Sequence, residues 1–351
     1  MLLAVIYSSL ISKEKIKRKI CELAVIKSKL WQKNLKNLFF LFLLFITHSY
    51  SQVSGCTDPL SKNYKPKATI NDGSCCYKRT KLKPNSSIRL SDSIAETSTL
   101  IHYDGLLWTA NDDTDATLYG MDYNGIIKKK INIAGLKNKE WEEISQDSSF
   151  IYLGDFGNNY QGNRKDLRIL RFRKSELYSD KPTIDTIAFK YSNQTDFSIQ
   201  KPNKTNFDCE AFIVTNDSIF LFTKHFKDKR TTIYSLPKTP GTFIAKEKES
   251  YKVKGLITGA TYLHNKNTIV LTGYSKLLKP FIYLLSDFEG NQFFLGNKRK
   301  IKLELPFHQV EGIATNDGVH FYFTNEKAVR KPLFNVPQQL HEIDLSSYLK
   351  N

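Results

Sequence analysis

From Pro84 to the C-terminus, short apolar runs alternate with polar turns, and the spacing is that of strands rather than helices. Leu106-Leu107-Trp108, Phe150-Ile151-Tyr152-Leu153, Ile219-Phe220-Leu221-Phe222 and Ile269-Val270-Leu271 are such runs. They are separated by Asp104-Gly105, Asn124-Gly125, Asn216-Asp217, Glu289-Gly290 and Asp317-Gly318, dipeptides that reverse the chain. Almost no stretch repeats its apolar residues with the period of an amphipathic helix, so this region is expected to be all-β.

The strands recur as a unit. Ser98-Thr99-Leu100, Glu142-Glu143-Ile144, Glu210-Ala211-Phe212, Gly259-Ala260-Thr261 and Glu311-Gly312-Ile313 occupy equivalent places. A small residue closes a second strand eleven to thirteen residues after each: Thr109, Gly154, Thr223, Thr272 and Thr324. The units start at 98, 142, 210, 259 and 311, in steps of 44, 68, 49 and 52. A step of about 40–50 residues carrying several strands predicts a β-propeller blade. Five blades are visible and six remain compatible. The long step predicts an inserted loop that includes 193–206. The last unit lacks an outer strand, which Ser87-Ile88-Arg89-Leu90 is expected to supply, joining the termini and covering an open edge.

Composition supports a packed domain, with 40% hydrophobic and 13% aromatic residues. The formal charge of +17 changes the picture less than it first suggests. Residues 1–50 carry +7 of it, and the remaining +10 is spread without a basic block or a stacking motif. Nucleic acid is therefore not an expected partner.

Ahead of the β-region, Leu38–Ile46 is an apolar run of nine residues, too short for the roughly 20 needed to span a bilayer. Lys33 and Lys36 precede it and Thr47-His48-Ser49-Tyr50-Ser51-Gln52 follows. This is the form of a secretory signal with cleavage near Ser51/Gln52; an uncleaved anchor is the alternative. Residues 1–51 are thus assigned to a signal peptide with an N-terminal extension, residues 52–80 to a small module and 84–351 to the propeller. The mature protein is expected to be secreted or on the outer cell surface.

In such an oxidising setting cysteines pair. Cys56 and Cys75 flank the turn signals Asp58-Pro59 and Asn71-Asp72-Gly73, and a Cys56–Cys75 bridge closes a loop of about 20 residues worth roughly 3 kcal/mol. Cys76 and Cys209 are left to pair with each other or to remain as thiols. The stretch from Gly55-Cys56-Thr57-Asp58-Pro59 to Asn71-Asp72-Gly73-Ser74-Cys75 resembles the GCTDPxAxNYNPxATxDDGSC repeat of exported Bacteroidetes proteins, with Ser61 and Asn71 departing from the usual Ala and Asp. Asp58, Asn63, Asn71 and Asp72 are calcium candidates within it, against a purely structural knot. Val53-Ser54-Gly55-Cys56 has the form of a lipobox, which would instead acylate Cys56.

Trp141-Glu142-Glu143-Ile144, Gly154-Asp155-Phe156-Gly157-Asn158-Asn159 and Gln309-Val310-Glu311-Gly312-Ile313 resemble motifs of exported bacterial propellers, some described as esterase- or phytase-like. The resemblance implies a propeller and leaves its activity open.

The chemistry is expected where the innermost strands meet. Glu142, Glu210 and Glu311 recur at one blade position, with Glu140, Asp208 and Gln309 two residues earlier on the same strand face. Carboxylates gathered at an axis call for a cation or a proton, and oxygen ligands suit Ca²⁺. The candidate metal set is Glu142, Glu210, Glu311, Asp155 and Asn325; a structural acid ring is the alternative. Lys224 is the candidate anion-binding residue, or else the partner of a neighbouring acid. No nucleophile–base pattern is legible. The expected function is a non-catalytic binding module for an extracellular glycan, protein or small anion, or for a metal. A metal-dependent phosphoesterase or lactonase is the rival reading.

Overall fold

A computed structural model describes residues 52–350 except 114, 134 and 180, together with 18, 19, 22, 23, 25–36 and 39. Residues 1–53 and 54–351 form separate units. In the first, the described residues between 18 and 39 are helical and exposed. No helix among the described residues is long and apolar enough to cross a membrane. The expected signal run at 38–46 and the cleavage point lie outside the described residues, apart from Phe39 and Gln52.

The second unit is nearly all β, as the pattern predicts, and is built from antiparallel four-stranded sheets. Sheet I comprises Ile101–Tyr103, Leu106–Thr109, Thr117–Met121 and Ile127–Asn132. Sheet II comprises Trp141–Gln146, Phe150–Asp155, Arg168–Arg173 and Asp185–Tyr191. Sheet III comprises Cys209–Val214, Ser218–Thr223, Thr231–Pro237 and Gly241–Tyr251. Sheet IV comprises Leu256–Leu263, Thr268–Tyr274, Pro280–Ser286 and Asn297–Leu303, extended by Thr80–Leu82, which pairs parallel to the last of these. Sheet V comprises Val310–Thr315, His320–Asn325 and Gln339–Asp344, and its fourth strand is Ser86–Arg89 from the start of the unit. The closure expected from the sequence is thus present, with Leu340 opposite Ile88. The outer strands of sheets II and III also pair, parallel, over 187–191 and 241–245, making one eight-stranded sheet. The long step between them holds residues 192–208 outside any strand.

The first strands of sheets I to V contact one another in cyclic order, V closing on I. Both faces of each sheet are buried, which explains why the runs are continuously apolar. In Ser218–Thr223, Ile219 and Leu221 pack toward sheet II while Phe220 and Phe222 pack toward sheet IV. A hydrophobic cluster fills each gap between neighbouring sheets: I with II, II with III, III with IV, IV with V and V with I. Each fully buried Phe or Leu there is worth about 1.5–3 kcal/mol.

Cys56 and Cys75 are bonded, and Cys76 and Cys209 are thiols, Cys76 exposed and Cys209 buried. A sulfur already bonded to Cys75 has no valence left for a lipid. The module around the bridge docks on sheet IV. Asn71 Nδ2 donates to Asp287 O and to Asn297 Oδ1, and the Arg299 guanidinium lies against the rings of Tyr77 and Tyr348. Replacing Cys56 and Cys75 by Ala is expected to cost about 3 kcal/mol. Urea unfolding would read this, and a variant with an unchanged midpoint would show that docking alone holds the module.

Candidate ligand site

One irregularity, repeated around the ring, positions the acidic residues. Trp141 pairs with Asp155 and Glu143 with Gly154, so Glu142 is an extra residue between them. Glu210 is skipped in the same way between Cys209 and Ala211, and Thr258 between Ile257 and Gly259. Glu311 and Gly312 fall in the corresponding shift between Val310 and Ile313. A β-bulge of this kind re-aims its extra side chain. The bulge position therefore reads Ser98, Glu142, Glu210, Thr258 and Glu311. This corrects the sequence alignment by one residue in sheet IV, where Thr258 rather than Gly259 is the equivalent.

A second correction concerns Lys224. Backbone bonds from Asp112 N to Glu96 O, Phe156 N to Glu140 O, Lys224 N to Asp208 O and Glu326 N to Gln309 O mark one equivalent position. Lys224 is therefore aligned with Asp112, Phe156 and Glu326, and not with Asp155 and Asn325. Thr223 pairs with Cys209 whereas Gly154 pairs with Glu143, so the small residues that close these two second strands are not equivalent.

These layers bring together Glu142, Glu210, Glu311, Asp208, Asp112 and Glu326, all at least half-buried, with Glu96 and Glu140 beside them. The Glu142 carboxyl is driven well above its ordinary range by burial and then by Glu210, Asp208 and Glu140. Burial acts first on Asp208 and Glu311 as well, reinforced by Glu210 and by Glu326 respectively. Glu326 is pushed up to about 7 and Asp112 to about 8, in both cases chiefly by burial. Gly157 leaves the space Glu142 occupies, since a Cβ there would lie 2.0 Å from its Oε1. Lys224 is the cation at the centre. Its Nζ is 2.6 Å from Glu210 Oε2, and only 6% of its side chain is exposed. Burial opposes its charge, yet Glu210, Glu311 and Asp208 hold its pKa above the ordinary lysine value. The alternative reading of Lys224, as partner of a neighbouring acid, is the one the geometry shows.

Even so, the acids are not all satisfied. Glu142 Oε1, Glu311 Oε1, Asp208 Oδ2 and Asp112 Oδ1 are buried with no hydrogen-bond partner. Buried polar atoms are rarely left so without a reason. No family model matches the chain, and no curated protein does. One solved structure, titled "Crystal structure of the computationally designed Ika4 protein", is similar at a TM-score of 0.29 and 9% identity, covering 56% of this chain and 94% of that one.

The axis is closed beyond the acids. Glu143, fully buried, accepts from Ile144 N at 3.0 Å and, across the ring, from Ala260 N at 2.7 Å; Leu100 N also bonds its carboxyl. Gly312 packs so tightly on the neighbouring first strand that a Cβ would lie 2.4 Å from Leu100 N. Past this floor, the turns between first and second strands line a separate cavity of 880 Å³ that includes His102, Gln146, Lys174, Asn216, Tyr262 and Asn316.

The remaining candidates are engaged elsewhere. The buried Asp155 carboxylate takes Arg164 Nη2 at 2.8 Å on one oxygen and Arg168 Nη2 at 2.8 Å on the other. Asn325 donates to Glu326 O and Pro337 O, and its Oδ1 lies 2.8 Å from His341 Nε2. In the module, Asp58 accepts from Leu60 N and from the Tyr77 hydroxyl, Asn63 and Asn71 accept from Cys76 N and Gly73 N, and Asp72 accepts from Ser74 N. These residues close turns. Among the described residues, no three His, Cys, Asp or Glu side chains are gathered as a ready metal site. Sequence reasoning missed Asp112, Glu326, Glu96 and Glu143. Glu326 stands one place beyond its second strand and Asp112 three places beyond its own, so no common count linked them.

Proposed function

We propose that the chain is an exported five-bladed β-propeller that works by binding, and that the acid-lined mouth of its axis receives a cationic group, with Ca²⁺ as the simplest occupant. The five sheets, their cyclic first-strand contacts and the strand borrowed by sheet V support the propeller. The Cys56–Cys75 bridge and the resemblance of 55–75 to an exported Bacteroidetes repeat support secretion. The observation that carries the binding reading is the set of four buried carboxylate oxygens without partners. Lys224 offsets one charge of the six or more around it. The raised carboxyls of Glu142, Asp208 and Glu311 favour bound protons, which a cation would displace. Glu142, Glu311 and Asp208 would supply the oxygens after a rearrangement of side chains.

Calorimetric titration with CaCl2 near pH 7, in two buffers of different ionisation heat, is expected to show binding with net proton release. The variant Glu142→Gln/Glu311→Gln should lose at least about ten-fold in affinity. An absence of heat, together with a melting temperature indifferent to calcium and to chelator, would refute the cation site.

A hydrolase reading has one observation in its favour. Glu326 and Asp112, held near pH 7 and 8, have carboxyls suited to proton transfer at neutral pH. Asp155 is not open to orient a water there, because Arg164 and Arg168 hold both of its oxygens. Turnover of a phosphoester or lactone that falls with Glu326→Gln would move the protein into the enzyme class.

A further inference from the structure

On the same side of the ring as the acids, the loops of sheets III and IV form a second site of opposite sign. The loop after Ser218–Thr223 carries Lys227, Asp228 and Lys229; the connection into sheet IV carries Lys252 and Lys254; the loop after Thr268–Tyr274 carries Ser275, Lys276 and Leu277. Together they line a cavity of 510 Å³ with five ammonium groups and one carboxylate, a net of +4.

Three features distinguish this cavity from an ordinary solvated lysine surface. First, the charge is uncompensated: among the described residues none of the five lysines has a carboxylate within ion-pair distance. Asp228, the one carboxylate of the lining, accepts from Arg230 N at 3.1 Å through Oδ1 and offsets only part of the positive charge. Second, the loops are held in place. Lys254 N donates to Lys229 O at 3.1 Å, joining two of them, and both residues sit in the left-handed region at φ 55° and 59°. Non-glycine residues adopt that conformation at a cost, and it persists where surrounding structure enforces it. Beneath them Lys300 Nζ donates to Val253 O at 2.7 Å and lies over the Phe281 ring, while Arg230 donates from Nε and Nη2 to Ser250. Third, the cavity borders the axis, with one aromatic ring between them. The Phe226 ring takes Lys224 at 5.4 Å and Lys229 at 5.7 Å.

We infer that this lysine-lined cavity binds a multiply charged oxyanion, a phosphate or sulfate group carried by the ligand. Flexible ammonium groups converging from three loops suit a compact tetrahedral anion, which can accept from several directions at once; a planar carboxylate is matched better by the fork of arginine. Burial, and then repulsion from Lys276, Lys224 and Lys204, disfavours the charge on Lys229, and a bound anion would counter that repulsion. The inference does not rest on the cation site, because its residues and its charge are separate.

The test is titration of the full chain at physiological salt with two probes, inorganic tripolyphosphate and a sulfated hexasaccharide. Lys229→Gln/Lys254→Gln/Lys276→Gln is compared with Lys129→Gln/Lys130→Gln, which removes exposed charge from the outer strand of sheet I. Saturable binding is expected, weakened at least about ten-fold in the cavity variant and within about two-fold of the parent in the control. Binding of tripolyphosphate alone assigns the site to phosphate, and binding of the hexasaccharide alone to sulfated glycan. If neither probe binds, or the control loses as much as the cavity variant, the inference fails. Unchanged melting temperatures of both variants would show that folding is not what is being read.

Discussion

Replacing Lys224 by Met is expected to lower stability by about 3–5 kcal/mol at neutral pH, the usual cost of removing one partner from a buried ion pair. Glu210 would be left uncompensated at 3% exposure, beside Asp208, Glu142, Glu311 and Glu326. The pH dependence follows from the direction of the shifts. Carboxyls raised in the folded state favour it most at pH values below their unfolded pKa. That stability is lost as pH rises through their folded values, about 7 for Glu326 and about 8 for Asp112. Lys224, whose own pKa is raised, supplies its stabilisation across this whole range and loses it only in strong alkali. The variant should therefore approach the parent near pH 5, where protons do the work of the ammonium, and fall furthest behind at pH 8. Urea unfolding at the two pH values measures the difference. Adding Glu210→Gln should restore most of the loss, since the orphaned charge is removed with it. A loss equal at both pH values, or no recovery in the double variant, would show that Lys224 acts by packing alone.

Glu143→Ala is the second large effect, about 3 kcal/mol, because it strands the amides of Ala260 and Leu100 in the fully buried place that the carboxyl fills. Glu143→Gln keeps an acceptor oxygen and should cost less. Hydrogen exchange at Ala260 and Leu100 is the specific readout: both amides should exchange faster in the Ala variant, while amides in the outer strands keep their protection. Uniform acceleration everywhere would mean a general loss of stability with no special role for the floor of the axis.

Much of this architecture is visible in the order of residues. Continuous runs such as Ile219-Phe220-Leu221-Phe222 show that both sheet faces are buried, and the turn dipeptides Asp104-Gly105, Asn124-Gly125, Asn216-Asp217 and Asp317-Gly318 place four of the hairpins. The interval of 40–50 residues exposes the repeat, and the missing strand of the last unit points to 86–89. These features are legible because each is local, or is a local pattern that recurs along the chain. The carboxylate column of Glu142, Glu210 and Glu311 was legible for the same reason, one acid in each of three repeats.

The partners of those acids were not legible. Asp155 and Asn325 stand at suitable places in the sequence, yet Arg164, Arg168 and His341 take up their polar atoms, and only chain reversal and packing could reveal it. Lys224 shifted by one place because Thr223 pairs with Cys209, ahead of the bulge, whereas Gly154 pairs with Glu143, beyond it, so the small residues at the two strand ends are not equivalent. Asp112 and Glu326 were hidden because they stand at different distances beyond their second strands. The lysine cavity is assembled from three loops separated by tens of residues, each unremarkable alone.

By itself, then, the sequence determined the strand class, the repeat, the bridge between Cys56 and Cys75 and the presence of acids on one strand face. Alternation, turn chemistry and loop closure act over a few residues and leave a direct imprint on their order. The tertiary structure decided which charges face each other, that Lys224 answers Glu210, that Glu143 seals the axis and that the free positive charge lies at the rim. Coulomb and desolvation energies depend on distance and burial in space, and those are set only when all five sheets have closed on one another.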